Sequence, residues 1–493
     1  MSVAVGIDLG TQSVKVVFYD FVNRRIAGNA SASLDLRQDA DGAAEQLAEW
    51  WLGGLREASL GVDPAVRKRT AAISVSGQQH GFVALDETDA VLAPVKLWCD
   101  TSTAAECEEI MDAFGGREAC IERAGNPIAP GYTASKARWL KKARPDLYDR
   151  LDGILLPHDY LNLHLTGERC MEMGDASGTG FLDVRSRKWS QDMLHAIDAE
   201  RDLSECLPTL RIGNEAIGTL RAEVAADLGL PAGIPVAIGG GDNMMGAIGT
   251  GNVRPGKLTM SLGTSGTVYA FADQPVVDPA GNVAAFCSST GGWLPLLCTM
   301  NCTVSTELMR ALLNADISAF EEQVAAAEPG AGGVITLPFF NGERTPDLPD
   351  AKGCIVGVDS RNAQPENLMR SSVEGATFAL KFGIDELAGL GVDIGEIVLT
   401  GGGARSAEWR QIVADICEAP VVVLKQDEGA AFGAVLQAVQ LIETGASIED
   451  LVDAHLEKDD SRSCEPRSAV VNTYRECYRE YRRAVAAMTA IYA

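Results

Sequence analysis

Gly6-Ile7-Asp8-Leu9-Gly10-Thr11-Gln12-Ser13 lies between two short apolar runs, Val3-Ala4-Val5-Gly6-Ile7 and Val14 to Tyr19, and half of it returns as Ser261-Leu262-Gly263-Thr264-Ser265-Gly266. The second copy is flanked in the same way, by Leu258-Thr259-Met260 and by Thr267-Val268-Tyr269-Ala270-Phe271. Short runs of this composition, punctuated by glycine, read as strands joined by a hairpin turn. Glycine in such a turn allows positive φ and puts no Cβ in the way, so backbone N–H groups and the Thr or Ser hydroxyls can converge on an anion. A single copy is equally ordinary turn chemistry. Two copies, one at the first residues and one just past the middle, point to a duplicated nucleotide-binding fold.

At 493 residues the chain exceeds the usual size of one hydrophobic core, so two or three domains are expected. A composition of 46% hydrophobic and 22% charged residues is that of an ordinary globular protein. The net charge of −26 argues against nucleic-acid binding and against docking on anionic membranes, because no broad cationic surface can form. Met1-Ser2-Val3-Ala4-Val5 has no cationic n-region and its apolar run breaks at Asp8, so no secretory signal is expected. Nor does any stretch approach the ~18 apolar residues that span a bilayer. The 12 cysteines form no C-x-x-C pair, Cys298 and Cys302 being the nearest neighbours. That pattern implies reduced thiols, a cytoplasmic location and no structural zinc.

Short Val/Ile runs alternating with helical segments favour α/β layering. Gly249-Thr250-Gly251-Asn252-Val253-Arg254-Pro255-Gly256 is rich in turn formers and precedes the second hairpin, which makes it the expected domain boundary. The resulting division is an N-terminal lobe over 1–248, a C-terminal lobe over 257–445 and a helical extension over 446–493. Glu366 to Leu390 reads as a long helix started by Pro365 and ended near Gly391, and Ile397-Val398-Leu399 as a buried strand. Tyr474, Tyr478, Tyr481, Val485 and Met488 share one face of a terminal helix. Core packing is the favoured reading of that stripe, and a subunit contact in a homodimer is the alternative.

Three further strand ends carry candidate chemistry. Ser76-Gly77-Gln78-Gln79-His80-Gly81 follows Ala71-Ala72-Ile73-Ser74-Val75 and sets two amides and an imidazole among small residues. Groups that both donate and accept suit a polyhydroxylated ligand. A histidine bonded to backbone is the competing reading of His80. After Pro235-Val236-Ala237-Ile238 comes Gly239-Gly240-Gly241-Asp242-Asn243, with a helix from Met244 to Ile248. An Asp just before a helix is commonly an N-cap. Three glycines in a row suggest more, a backbone thinned for the close approach of a ligand. Leu399-Thr400-Gly401-Gly402-Gly403-Ala404-Arg405-Ser406 repeats the strand and glycine turn, then a helix from Glu408; it can admit a flat adenine ring or be only a tight corner. Glu428-Gly429-Ala430-Ala431-Phe432-Gly433-Ala434 has small residues compatible with close helix packing against the other lobe.

Taken in this order, over residues 3 to about 440, these motifs resemble the FGGY carbohydrate kinases of the actin and hexokinase superfamily. Gly77-Gln78-Gln79-His80-Gly81, Leu97-Trp98-Cys99-Asp100, Leu156-Pro157-His158-Asp159-Tyr160-Leu161, Gly241-Asp242-Asn243, Ser261 to Gly266 and Gly342-Glu343-Arg344-Thr345-Pro346 are most similar to its D-xylulose-phosphorylating members. Glycerol kinases of the family carry Arg-Glu where Gln79-His80 stands. Many bacterial xylulose-acting members have Met in place of Gln79 and Asn in place of Cys99.

The resemblance implies two ribonuclease-H-like lobes around a central cleft in which ketose and ATP meet. It also implies ATP-dependent phosphorylation of a ketopentose, D-xylulose to D-xylulose 5-phosphate, with ribulose or another ketose as the alternative. Asp242 would be the general base and Asp8 would help hold Mg2+ beside the phosphates. Gln79, His80, Asp242 and Asn243 would grip the sugar. Thr11, Lys15 and Thr264 would contact phosphates, while Gly401, Gly402 and Ser406 would border the adenosine. An actin-like ATPase without a small-molecule acceptor and a sugar-binding regulator are the readings from other classes. The sequence has no basic recognition helix for the latter.

Overall fold

The computed structural model describes residues 2–213, 215–426 and 428–492, and the chain divides into two compact units. The first holds the chain up to Arg254 together with Phe271–Leu294 and Glu428–Leu456. The second holds Pro255–Ala270, Pro295–Asp427 and the chain from Glu457 onward.

The core of the first unit is a seven-stranded sheet. The strand Val3–Leu9 pairs antiparallel with Ser13–Asp20, which pairs antiparallel with Arg25–Ser33. On its other edge Val3–Leu9 runs parallel to Thr70–Gly77, and Pro235–Ala237 runs parallel beyond it. Val3, Val5, Ile7, Leu9, Val14, Val16 and Phe18 are all buried. Strands packed on both faces lose the polar alternation of a half-exposed strand, which is why these stretches read as continuous apolar runs.

The second unit repeats the pattern in a five-stranded sheet. Gly256–Leu262 pairs antiparallel with Gly266–Ala270, and that strand with Leu296–Thr299. Ile394–Thr400 and then Val421–Val422 add in parallel on the other side. Both expected hairpins are therefore present, each at the centre of its own α/β sheet. The helix expected from Glu366 is Pro365–Gly389, with Pro365 in its first turn, where a missing N–H costs nothing. On the terminal helix Ser468–Tyr492, Tyr474 and Tyr481 are buried. Tyr474 accepts from Arg370 Nη2 at 2.7 Å and donates to Glu374 Oε1 at 2.9 Å, so this face packs into the second unit.

The compact units differ from the linear division at 248, 257 and 445. The helix Gly429–Ile442 belongs to the first unit, where it packs on Val3–Leu9, Thr70–Gly77 and the helix Asp242–Gly249. The reason is steric and sits in three glycines. A Cβ on Gly6 would run into the carbonyl oxygen of Ala431, one on Gly249 into that of Gly429, and one on Gly433 into that of Met245. Gln437 extends the same seam, accepting from Ser74 Oγ at 2.8 Å and from Gly239 N at 2.7 Å. The small residues after Glu428 thus serve backbone-to-backbone packing within the first unit. All twelve cysteines are free. Among the described residues no helix is long and apolar enough to cross a membrane.

Candidate active site

Asp242 is the first residue of the helix Asp242–Gly249, and Gly241, which has no side chain to cap with, holds the N-cap position. The N-cap reading of Asp242 therefore does not hold. Its Oδ1 instead accepts from the N–H of Asn243 at 2.8 Å, and the carboxylate remains partly accessible. A carboxylate in a helix first turn is favoured by the positive end of the helix dipole. Burial and the nearby carboxylates of Asp8 and Asp175 outweigh that, pushing the Asp242 carboxyl up to about 7. A group poised near neutrality suits proton abstraction at physiological pH.

The three glycines before Asp242 have a different cause from the one expected. A Cβ on Gly239 would strike the carbonyl of Val75, one on Gly240 would lie 2.7 Å from Ser289 Oγ, and one on Gly241 2.8 Å from Gln79 Cγ. The backbone is thin here because protein crowds it. That crowding sets Asp242 against the end of the strand Thr70–Gly77, to which Gly240–Gly241 pairs in parallel.

Asp8 stands near the end of the strand Val3–Leu9, level with Ser76 on one side and Lys15 on the other. Ser76 Oγ donates to Asp8 Oδ1 at 2.8 Å. Burial raises the Asp8 carboxyl, with Ser76 and Lys15 pulling the other way. Lys15 Nζ donates to Glu428 Oε2 at 2.7 Å. In the turn, Thr11 Oγ1 donates to Gln78 Oε1 at 3.0 Å and accepts from Trp98 Nε1 at 2.9 Å. Gln78 in turn donates to Gln46 Oε1 at 2.9 Å, a chain that braces the hairpin against the strand end beside it.

The amides of Gln79 and Asn243 sit at that same strand end. Asn243 Nδ2 donates to Gln79 Oε1 at 2.9 Å and approaches Asp242 Oδ1 at 3.1 Å. His80 has φ 64°, an uncommon conformation for a residue with a side chain. Its carbonyl accepts from Lys136 Nζ at 2.8 Å and from Thr133 Oγ1 at 3.2 Å. Its ring packs against Tyr132 and Phe286, with centroids 5.0 and 5.8 Å away. Burial pulls the Lys136 ammonium down to about 7.

In the second unit, Thr264 is exposed in its hairpin turn, and its carbonyl accepts from Cys302 N at 3.0 Å. Gly401 has φ 89° and its backbone lies against Leu262, where a Cβ would be 2.7 Å from the carbonyl oxygen. Gly402 is exposed and a Cβ there would meet nothing within 4 Å. Ser406 caps the helix Ala407–Cys417, accepting from Trp409 N at 3.1 Å and donating to Glu321 Oε2 at 2.7 Å. The glycine turn and the second hairpin thus lie side by side.

The first unit gathers Asp8, Thr11, Lys15, Gln79, His80, Asp242 and Asn243; Thr264, Gly401, Gly402 and Ser406 belong to the second. Sequence reasoning missed a buried charged group behind the amides. His158 Nδ1 donates to Asp175 Oδ2 at 2.8 Å, and its Nε2 lies 2.9 Å from Asp159 Oδ1 without hydrogen-bond alignment. Burial opposes charge on His158, but the flanking carboxylates of Asp159 and Asp175 prevail and raise the imidazole well above its ordinary range. Asp175 also accepts from Gln79 Nε2 at 3.4 Å. His158-Asp159 lies inside a quoted motif and was open to discovery; Asp175, in Met173-Gly174-Asp175-Ala176, has no local signal.

The model of the FGGY family of carbohydrate kinases, N-terminal domain, matches residues 3–249, and that of the C-terminal domain matches 258–441. The chain belongs to the FGGY family of carbohydrate kinases. It is 42% identical over 487 residues to a xylulose kinase of Haemophilus influenzae, covering 97% of this chain and 98% of that one. A xylulose kinase of Escherichia coli is 35% identical over 452 residues, 90% of each chain. A crystal structure of a Brucella ovis xyloylose kinase superposes with TM-score 0.91 at 32% identity, covering 99% of each chain.

Proposed function

We propose that this enzyme transfers the γ-phosphoryl group of ATP to the terminal hydroxyl of D-xylulose, giving D-xylulose 5-phosphate and ADP, with Asp242 as the general base. The observation that carries the reading is the Asp242 carboxyl, partly accessible, pushed up to about 7, and set beside the amides of Asn243 and Gln79. The relatives named as xylulose kinases support the choice of ketose.

Gln79, His80 and Asn243 orient the sugar, their amide and imidazole groups matching hydroxyls in both senses. Asp242 accepts the hydroxyl proton as the oxygen forms its bond to phosphorus and the bridging oxygen leaves with ADP. Thr11, Lys15 and Thr264 contact the phosphates, and Gly401, Gly402 and Ser406 border the adenosine, where bare backbone at Gly402 leaves room for a flat ring.

Asp8 fits a magnesium ligand. Among the described residues it belongs to no cluster of three or more metal-ligating side chains, so Asp8 would hold a cation that takes its other ligands from phosphate oxygens and water, as Mg2+ can. When bound, Mg2+ neutralises phosphate charge that the Asp8 and Asp242 carboxylates would otherwise repel. The test is ADP release across a panel of ketoses, ketohexoses, glycerol and no sugar. Turnover that depends on D-xylulose supports the proposal, preference for another ketose moves the substrate, and release without any sugar makes the chain an ATPase and overturns it.

A further inference from the structure

Asp175 is fully buried on the helical turn Met173–Ala176, whose first amides are capped by Glu172 at 2.7 and 2.9 Å. From it runs one unbroken line of side-chain hydrogen bonds: His158 to Asp175 at 2.8 Å, Gln79 to Asp175 at 3.4 Å and Asn243 to Gln79 at 2.9 Å. Glycine at 241 makes the line fit, since a Cβ there would lie 3.1 Å from Asp175 Oδ1.

The direction of these bonds matters more than their number. A side-chain amide has one donating and one accepting end, and its shape does not decide which way it faces. Burial raises the Asp175 carboxyl, while His158 and the Gln79 amide pull it back towards the ionised form, which only accepts. Asp175 therefore draws the NH2 end of Gln79 towards itself and turns Oε1 towards Asn243. Asn243 must then donate, and its Nδ2 lies between two acceptors, Gln79 Oε1 and Asp242 Oδ1 at 3.1 Å. The Asn243 Oδ1 atom is left to accept.

We propose that Asp175, anchored by His158, is a positioning residue that sets the hydrogen-bond polarity of the sugar site, so that Asn243 offers its Oδ1 as an acceptor to a ketose hydroxyl. This rests on the reading of Gln79 and Asn243 as ketose contacts. It adds a residue that touches no substrate yet decides which hydroxyl orientation the site accepts.

The experiment is a polarity swap. Asp175→Asn lets Gln79 invert, and Gln79→Glu sets two carboxylates against each other; each alone is expected to raise the KM for D-xylulose about tenfold or more, with the KM for ATP within about twofold of wild type. In Asp175→Asn/Gln79→Glu the new Asn donates to the new Glu, whose other oxygen still accepts from Asn243. The double variant is expected to recover a ketose KM within about threefold of wild type. A structural role for Asp175 would produce no such rescue, so a double variant as impaired as the two single effects combined overturns the proposal. So does Gln79→Glu with an unchanged ketose KM. Should Asp175→Asn alone fail to fold, the double variant must still bind ketose more tightly than Gln79→Glu, or the proposal falls. Ketose-independent behaviour of the wild-type enzyme, seen in ADP release and in calorimetry with D-xylulose, would strike the kinase reading itself.

Discussion

In the first sheet the strand Val3–Leu9 brings Asp8 to the turn, and the parallel strand beside it carries Ser76 near its end and leads into Gln78, Gln79 and His80. In the second sheet the matching strand Gly256–Leu262 has Ser261 where alignment of the two Leu-Gly-Thr turns puts Asp8, and its parallel neighbour runs into Gly401, Gly402 and Gly403. One strand order thus serves two purposes. The first sheet collects carboxylates, amides and an imidazole at its strand ends, and the second offers hydroxyls and uncovered backbone. The strand order they share sets where the turns sit; the residues at the turns set what each can bind.

The largest effect should come from the carboxylates of the first sheet. Asp242→Asn removes the proposed base and is expected to lower kcat about a hundred- to ten-thousand-fold with the KM for ATP within about twofold, read by coupled ADP release. Asp8→Ser, which gives the first hairpin the second one's residue, should cost at least about a hundredfold in kcat and raise the magnesium requirement. Ser261→Ala at the matching place should stay within about twofold; a loss as large as that of Asp8→Ser would erase the distinction between the sheets.

Smaller effects separate packing from chemistry. Gly433→Val drives a side chain into the Met245 carbonyl, and overpacking of this kind costs about 1–3 kcal/mol or more, seen as a lowered Tm. Gly389→Ala, with nothing within 4 Å of the new Cβ, should leave Tm unchanged or slightly raised. Gly402→Ala also meets no neighbour, so stability should hold while the KM for ATP rises about threefold through lost access to backbone. An unchanged KM for ATP would remove Gly402 from the nucleotide site.

The hairpins were legible because a strand buried on both faces is written as a local apolar run, and glycine with threonine marks its turn. The helix Pro365–Gly389 was legible from Pro365 for the same local reason. What escaped depends on residues far apart in the chain. The small residues after Glu428 announced close packing of the helix Gly429–Ile442, but its partners Gly6 and Gly249 lie more than 180 residues from Gly433 and left no local mark. Asp175 escaped likewise, since its partners His158 and Gln79 come from a helix start and a strand end. Asp242 was found through its glycines, although they are thin for Val75, Ser289 and Gln79 rather than for a ligand.

The pH dependence of kcat/KM for D-xylulose tests the central claim most directly. Burial, Asp8 and Asp175 raise the Asp242 carboxyl to about 7, and the base works only when ionised. The rate constant should therefore be level above about pH 8, bend near 7 and fall about tenfold per pH unit on the acid side. A profile flat from about pH 5 to 8, as an aspartate of ordinary pKa near 3.9 would give, contradicts Asp242 as the group that takes the proton.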